Sequence, residues 1–140
     1  MTLTLDHARA IIDTALNTGD TQPLAVVVLD AGAHPVAFAR QDGASLFRFD
    51  IAKAKATGAL GMGSDTRILA ARAANNPIFF QSVVAATGGR LALSPGGVLI
   101  RNEEGAVIGA VGISGDTGEV DEACAQAGII AAGLSHGDAQ

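Results

Sequence analysis

The sequence predicts an α+β fold: an antiparallel β-sheet of about five strands flanked by α-helices in a single layered domain, residues 1–140. Three observations carry that prediction. Residues 24–40 and 98–113 each place apolar runs on either side of a turn signal and read as β-hairpins. Before, between and after them, apolar residues recur at helical spacing, and the middle stretch is rich in alanine. The resulting order is helix, hairpin, three helical segments, hairpin, helix. Such an order lays helices over hairpin-built strands and lacks the strict strand–helix alternation of a parallel sheet.

The first helix is carried by Leu5, Ala8, Ile12, Ala15 and Leu16, with Thr4 as N-cap, Asp6 in the first turn and Gly19 beyond the end. Leu24 to Leu29 is continuously apolar, the pattern of a strand covered on both faces. Asp30-Ala31-Gly32-Ala33 then turns the chain into Val36, Phe38 and Arg40, which alternate with Pro35, Ala37 and Ala39. From Phe47 to Met62, high helix propensity and small side chains suit a closely packed helix that ends at Gly61-Met62-Gly63. Ser64 caps a short helix reaching about Ala74, and Asn75-Asn76 breaks the chain before a segment that opens at Pro77.

After the loop Thr87-Gly88-Gly89-Arg90, Leu91 to Leu93 supply a brief strand. Ser94-Pro95-Gly96-Gly97 leads into Val98 to Arg101, and Asn102-Glu103-Glu104-Gly105 into Ala106 to Ile113. Gly109 and Gly112 inside that strand permit close approach of another backbone or a ligand. Asp116 with Glu119 forms a capping-box-like start to the last helix, carried by Val120, Cys124, Ala127, Ala131 and Leu134, and the tail from 136 onward is read as frayed.

Composition narrows function by exclusion. Of 140 residues, 49% are apolar and 16% charged, enough for one real core. So much small apolar material in a short chain also predicts burial between subunits. The net charge of −5 and the scattered Lys and Arg give no field for a nucleic acid. No segment resembles a membrane-spanning run, and the opening residues lack a basic leader and apolar stretch, so a cytoplasmic location is expected. The single cysteine, Cys124, is read as a buried helix residue.

Five stretches, in order, carry a resemblance. They are Val28 to Ala37, Arg40-Gln41-Asp42-Gly43-Ala44, Ile51 to Ala56, Gly96 to Ile100, and Val107 to Gly115. Together they resemble the GlcG/HbpS-like family, also found as the C-terminal domain of some cobalamin adenosyltransferases. The resemblance implies a profilin-like sheet, assembly into a closed homo-oligomer, and an association with haem binding or degradation, or with roles near glycolate, diol or aromatic metabolism. Two positions depart from the family pattern: Ala33, where Gly-Gly is usual at 32–33, and Leu99, where proline is usual.

The candidate site residues follow from charge placement and from the matched motifs. Lys55 shares a helix face with Ile51, Ala52, Ala59 and Met62. An enclosed lysine either binds a carboxylate or acts as a base, or else pairs with an acidic residue at a subunit contact. Arg40, placed on the face of Val36 and Phe38, either presents a planar fork to a carboxylate or holds Asp42 across the turn. Glu119 is a candidate general acid or base. Asp30 and His34 lie in the matched hairpin, where a neutral imidazole either ligates haem iron or serves the turn. Gly96-Gly97 offers backbone N–H groups to an oxyanion. His7 and His136 complete the histidines, and no two have metal-ligand spacing. Phe47, Phe49, Phe79 and Phe80 either wall an apolar ligand or serve as core and subunit contacts. Three functions fit: a haem-binding or haem-processing protein, a cofactor-independent isomerase or lyase on a small organic acid, and a non-catalytic accessory of a catabolic pathway.

Overall fold

The computed structural model describes residues 2–19 and 22–137. Its elements are α1 (Leu5–Thr18), β1 (Ala25–Asp30), β2 (Pro35–Arg40), α2 (Arg48–Met62), α3 (Thr66–Asn75), α4 (Pro77–Ala86), β3 (Gly97–Arg101), β4 (Val107–Ser114), α5 (Gly118–Ala131) and β5 (Ser135–His136). The five strands form one antiparallel sheet in the order β2-β1-β4-β3-β5. The α+β architecture read from the sequence is the one observed.

Local chemistry explains most boundaries. Thr4 and His7 close a reciprocal capping box at the start of α1: Thr4 Oγ1 accepts from His7 N at 3.0 Å, and His7 Nδ1 accepts from Thr4 N at 3.1 Å. Gly63 ends α2 with φ of 74°, and Pro77 occupies the first turn of α4. Two expected caps lie one residue early. Asp65, not Ser64, precedes α3, and its Oδ1 accepts from Leu99 N of β3. Thr117, not Asp116, caps α5, its hydroxyl accepting from Val120 N.

Helices cover both faces of the sheet. On one face α1 and α5 bury Ile11, Ile12, Ala15, Cys124 and Ile129 against Val26, Val28, Val98 and Ile113. Ile11, absent from the expected apolar stripe, is fully buried, whereas Leu5 is exposed. On the other face Ala52, Ala56 and Ala59 of α2 pack on Ala25, Val27, Leu29, Leu99 and Ala110. The approach of α2 is close enough for its backbone to touch the sheet. A Cβ on Gly112 would run into the Ala52 carbonyl oxygen, and one on Gly97 into that of Lys55. The alanines and glycines of the sequence are therefore a means of placing α2, and Lys55 with it, directly on the strands.

Three expectations are corrected. Leu91 to Leu93 form no strand; the fifth strand is Ser135–His136, which pairs with Arg101 and Ile100. The tail is therefore ordered at 136 and 137, where Gly137 N donates to the Leu99 carbonyl, and residues 138–140 of the expected fray lie outside the described residues. A register shift at Val28/Leu29 against β2 interrupts the alternation there. Val36 consequently packs on the α1 and α5 face, and it does not share the α2 face with Phe38, whose ring meets Phe49 edge-on at 4.8 Å.

Candidate functional site

The β1–β2 turn is built to hold an imidazole. Asp30 Oδ1 accepts from Gly32 N at 2.9 Å, from His34 N at 3.0 Å and from His34 Nδ1 at 3.2 Å. The backbone donor of His34, chiefly, holds the Asp30 carboxyl below the ordinary carboxylate value, so the group stays ionised at neutral pH. The ring lies over Gly32, where a Cβ would come within 2.8 Å of its Cε1. Ala33 takes the left-handed conformation, φ 63°, at the position where the family pattern has glycine. With Nδ1 turned to the carboxylate, Nε2 is the free nitrogen, and the side chain is 79% exposed.

A second pair lies at the other end of the same strands. Lys55 Nζ donates to the Ile113 carbonyl at 2.8 Å and to Asp121 Oδ2 at 3.2 Å, with both side chains buried. Asp121 Oδ1 accepts from Asp116 N at 3.0 Å. Burial pushes the Lys55 amine below its ordinary value and the Asp121 carboxyl above its own, while their mutual attraction opposes both shifts. Beside them Arg48 Nη1 donates to Ser114 Oγ at 3.2 Å.

The structure therefore sorts the sequence candidates into two groups. Asp30 and His34 stand together, as do Lys55, Gly96 and Gly97; a Cβ on Gly96 would sit 2.9 Å from Lys55 Nζ. Gly97 N–H is donated to Thr66 Oγ1 at 2.8 Å, so it is not turned to an external oxyanion. Arg40, Asp42 and Glu119 are exposed, and among the described residues no ion pair joins Arg40 to Asp42 or either Arg40 or Glu119 to Lys55. Among the same residues no group of three or more His, Cys, Asp or Glu is placed to hold a metal ion, and no helix is long and apolar enough to cross a membrane. Sequence reasoning missed Asp121 as the partner of Lys55, and it missed Arg48 altogether. In the sequence Asp121 is one of several acids at a helix start, and only tertiary packing distinguishes it from Glu119 and Glu122.

The fold and these two pairs define a layered α+β domain with an exposed, carboxylate-braced histidine at one end of its sheet. A family model described as haem degrading protein HbpS-like matches residues 3–130, and the chain belongs to that family. Solved structures agree in fold. The PduOC:haem complex is 23% identical with a TM-score of 0.87, covering 96% of this chain and 98% of that one. HbpS is 26% identical with a TM-score of 0.79, covering 93% and 89%, and a double mutant of the Streptomyces reticuli HbpS gives 27% and 0.79, covering 93% and 86%. The Klebsiella pneumoniae protein ORFY is 26% identical with a TM-score of 0.85, covering 95% and 92%. No curated protein matches the sequence.

Proposed function

We propose that this chain binds haem through His34 Nε2, with Asp30 fixing the ring, and that it works as a homo-oligomer. The observation that carries the reading is the Asp30–His34 contact, which holds the imidazole by one nitrogen and leaves the other to a ligand, as iron- and zinc-binding histidines are commonly held. His7 is a weaker candidate because its Nδ1 is engaged in the α1 cap, and His136 lies in an edge strand. The family description and the haem complex of PduOC support the choice of ligand. Bound haem would supply the redox-active iron; the chain's own part is to bind and orient it.

Enclosure is the part that one copy does not complete. Three cavities beside α4, of about 400, 290 and 160 Å³, are lined by no histidine. Leu46, Phe47, Ile78, Phe79 and Ile130 are instead exposed, and α4 buries only Phe80. Apolar surface on that scale favours self-association, and a second copy is the proposed cover. Haem titration of the purified protein tests the ligand. A Soret shift is expected that is lost in His34→Ala, weakened about tenfold or more in Asp30→Asn, and kept in His7→Ala. A shift indifferent to His34→Ala overturns this site. Light scattering tests the assembly, and a monomer at working concentration would overturn it.

A further inference from the structure

The structure points to a second binding site, and we propose that the cavity beside Arg48 takes a small carboxylate. The cavity is about 160 Å³ and is lined by Gln22, Pro23, Gly43, Ala44, Ser45, Arg48 and Gly115. It lies where β4 leaves the sheet, at the end of β1 remote from His34, so it is separate from the proposed haem site and does not depend on it.

The argument rests on the guanidinium. Arg48 is half-buried at the wall of this cavity, and among the described residues its one hydrogen bond goes from Nη1 to the neutral Ser114 hydroxyl. Among the described residues no carboxylate lies within ion-pair distance of it, whereas Arg67, an exposed arginine elsewhere, has Glu122 at 3.3 Å. A guanidinium carries five N–H donors in a planar fork matched to a carboxylate, so most of this donor set is unspent. The neighbouring cation Lys55 is already paired with Asp121 at 3.2 Å, and its charge repels that of Arg48, so Arg48 is left as the cation facing this cavity. Ser45 adds a hydroxyl to the wall, and Gly43 and Gly115 leave backbone there without a side chain.

Size sets the class of ligand. Water takes roughly 30 Å³ per molecule in the liquid, so the space holds about five waters or one acid of a few heavy atoms. Pockets for drug-sized ligands begin near roughly 300 Å³, so this cavity is too small to enclose haem or a nucleotide. A monocarboxylate with a short tail fits both the fork and the volume.

Acetate is the probe, followed by backbone amide shifts in the whole chain, with acetamide as the uncharged analogue of the same shape. Acetate is expected to saturate shifts at Gly43, Ser45 and Gly115 with a dissociation constant on the order of millimolar, as befits so small a ligand. Acetamide should bind about tenfold more weakly or not at all, and Arg48→Gln should weaken acetate about tenfold or more. Arg90→Gln removes a guanidinium outside this cavity and should change nothing. Equal shifts with acetate and acetamide, no saturation, or native affinity in Arg48→Gln each overturn the proposal. The acetate–acetamide comparison in the native chain decides it even should Arg48→Gln fail to fold.

Discussion

Two acid–base pairs occupy opposite ends of the same two strands. Asp30 with His34 closes the turn after β1, and Lys55 with Asp121 lies where β4 gives way to α5. Their hydrogen-bond distances are the same, 3.2 Å, but their surroundings are not. The first pair is open to water, with His34 79% exposed, and its members are four residues apart. The second is buried, and its members are 66 residues apart. An exposed pair gains little from its charges, so here Asp30 orients the His34 ring by Nδ1 without burying it and leaves Nε2 facing water. A buried pair is held in place by the cost of separating it, because either charge alone would be stranded in the interior. Burial, more than residue type, divides the end proposed to bind haem from the end that ties α2 to α5.

The largest expected effect breaks the buried pair. Lys55→Met leaves Asp121 without its cation and should cost about 3–5 kcal/mol in urea unfolding. The double variant Lys55→Met/Asp121→Leu should recover most of that loss, because no charge is left stranded. A double variant as unstable as the single one would show that the ammonium also does something at the Ile113 carbonyl that packing cannot replace.

The two single variants should respond to pH in opposite directions. The folded value of Asp121 lies above its ordinary 3.8, so its contribution is present below that value and is lost as the pH rises through the folded one. Removing Lys55 raises the folded value further. The deficit of Lys55→Met should therefore be smallest in acid and largest at neutrality. Lys55 is shifted the other way, below 10.5, so its contribution is present above that value and is lost as the pH falls through the folded one. Asp121→Leu should accordingly show a deficit that shrinks toward alkaline pH. Parallel trends in the two variants would mean that the pair does not act as a pair.

At the exposed end the same kind of change should cost far less. Asp30→Ala removes the acceptor of two backbone donors and one ring nitrogen, all near water, and is expected to cost about 1 kcal/mol or less. His34→Ala should fall within about 0.5 kcal/mol of the native chain, so a loss of haem binding in that variant would report on the ligand and not on folding. Because the Asp30 carboxyl is held below 3.8, its stabilisation is present above that value and is lost as the pH falls through the folded one. Its acid trend is thus opposite to that of Asp121.

How far each end was legible in the sequence follows from the same difference. The hairpins, the α1 cap and the alanine-rich α2 announce themselves through signals that act within a few residues, and so does the Asp30–His34 turn. The fifth strand did not, since two residues carry no periodicity and Ser135–His136 is a strand only because Ile100 and Arg101 lie beside it. Lys55 was conspicuous as a charge on an apolar helix face. Its partner was hidden among the acids of the α5 start, where Asp121 is buried against Lys55 of α2 and Glu119 is exposed, a difference that only the folded chain creates. Arg48 has no local signal in the sequence, and it is marked only by the fold, where among the described residues its one hydrogen bond goes to the Ser114 hydroxyl and no carboxylate pairs with it.

The smallest expected effect tests whether the Asp30–His34 turn carries strain. Ala33 sits at φ 63°, a conformation that costs an L-residue roughly 1–2 kcal/mol and glycine almost nothing. Ala33→Gly relieves that cost but also frees the unfolded chain, which takes back roughly 0.4–1 kcal/mol. The difference leaves a net gain of about 0.5 kcal/mol, read as a small rise in the urea midpoint. Because the Asp30 carboxylate already fixes the turn through Gly32 and His34, the imidazole should keep its place and haem affinity should not change. Should Ala33→Gly instead weaken haem binding while raising stability, the strained alanine would be holding the His34 ring in position, and the exposed pair would be less free than its accessibility implies.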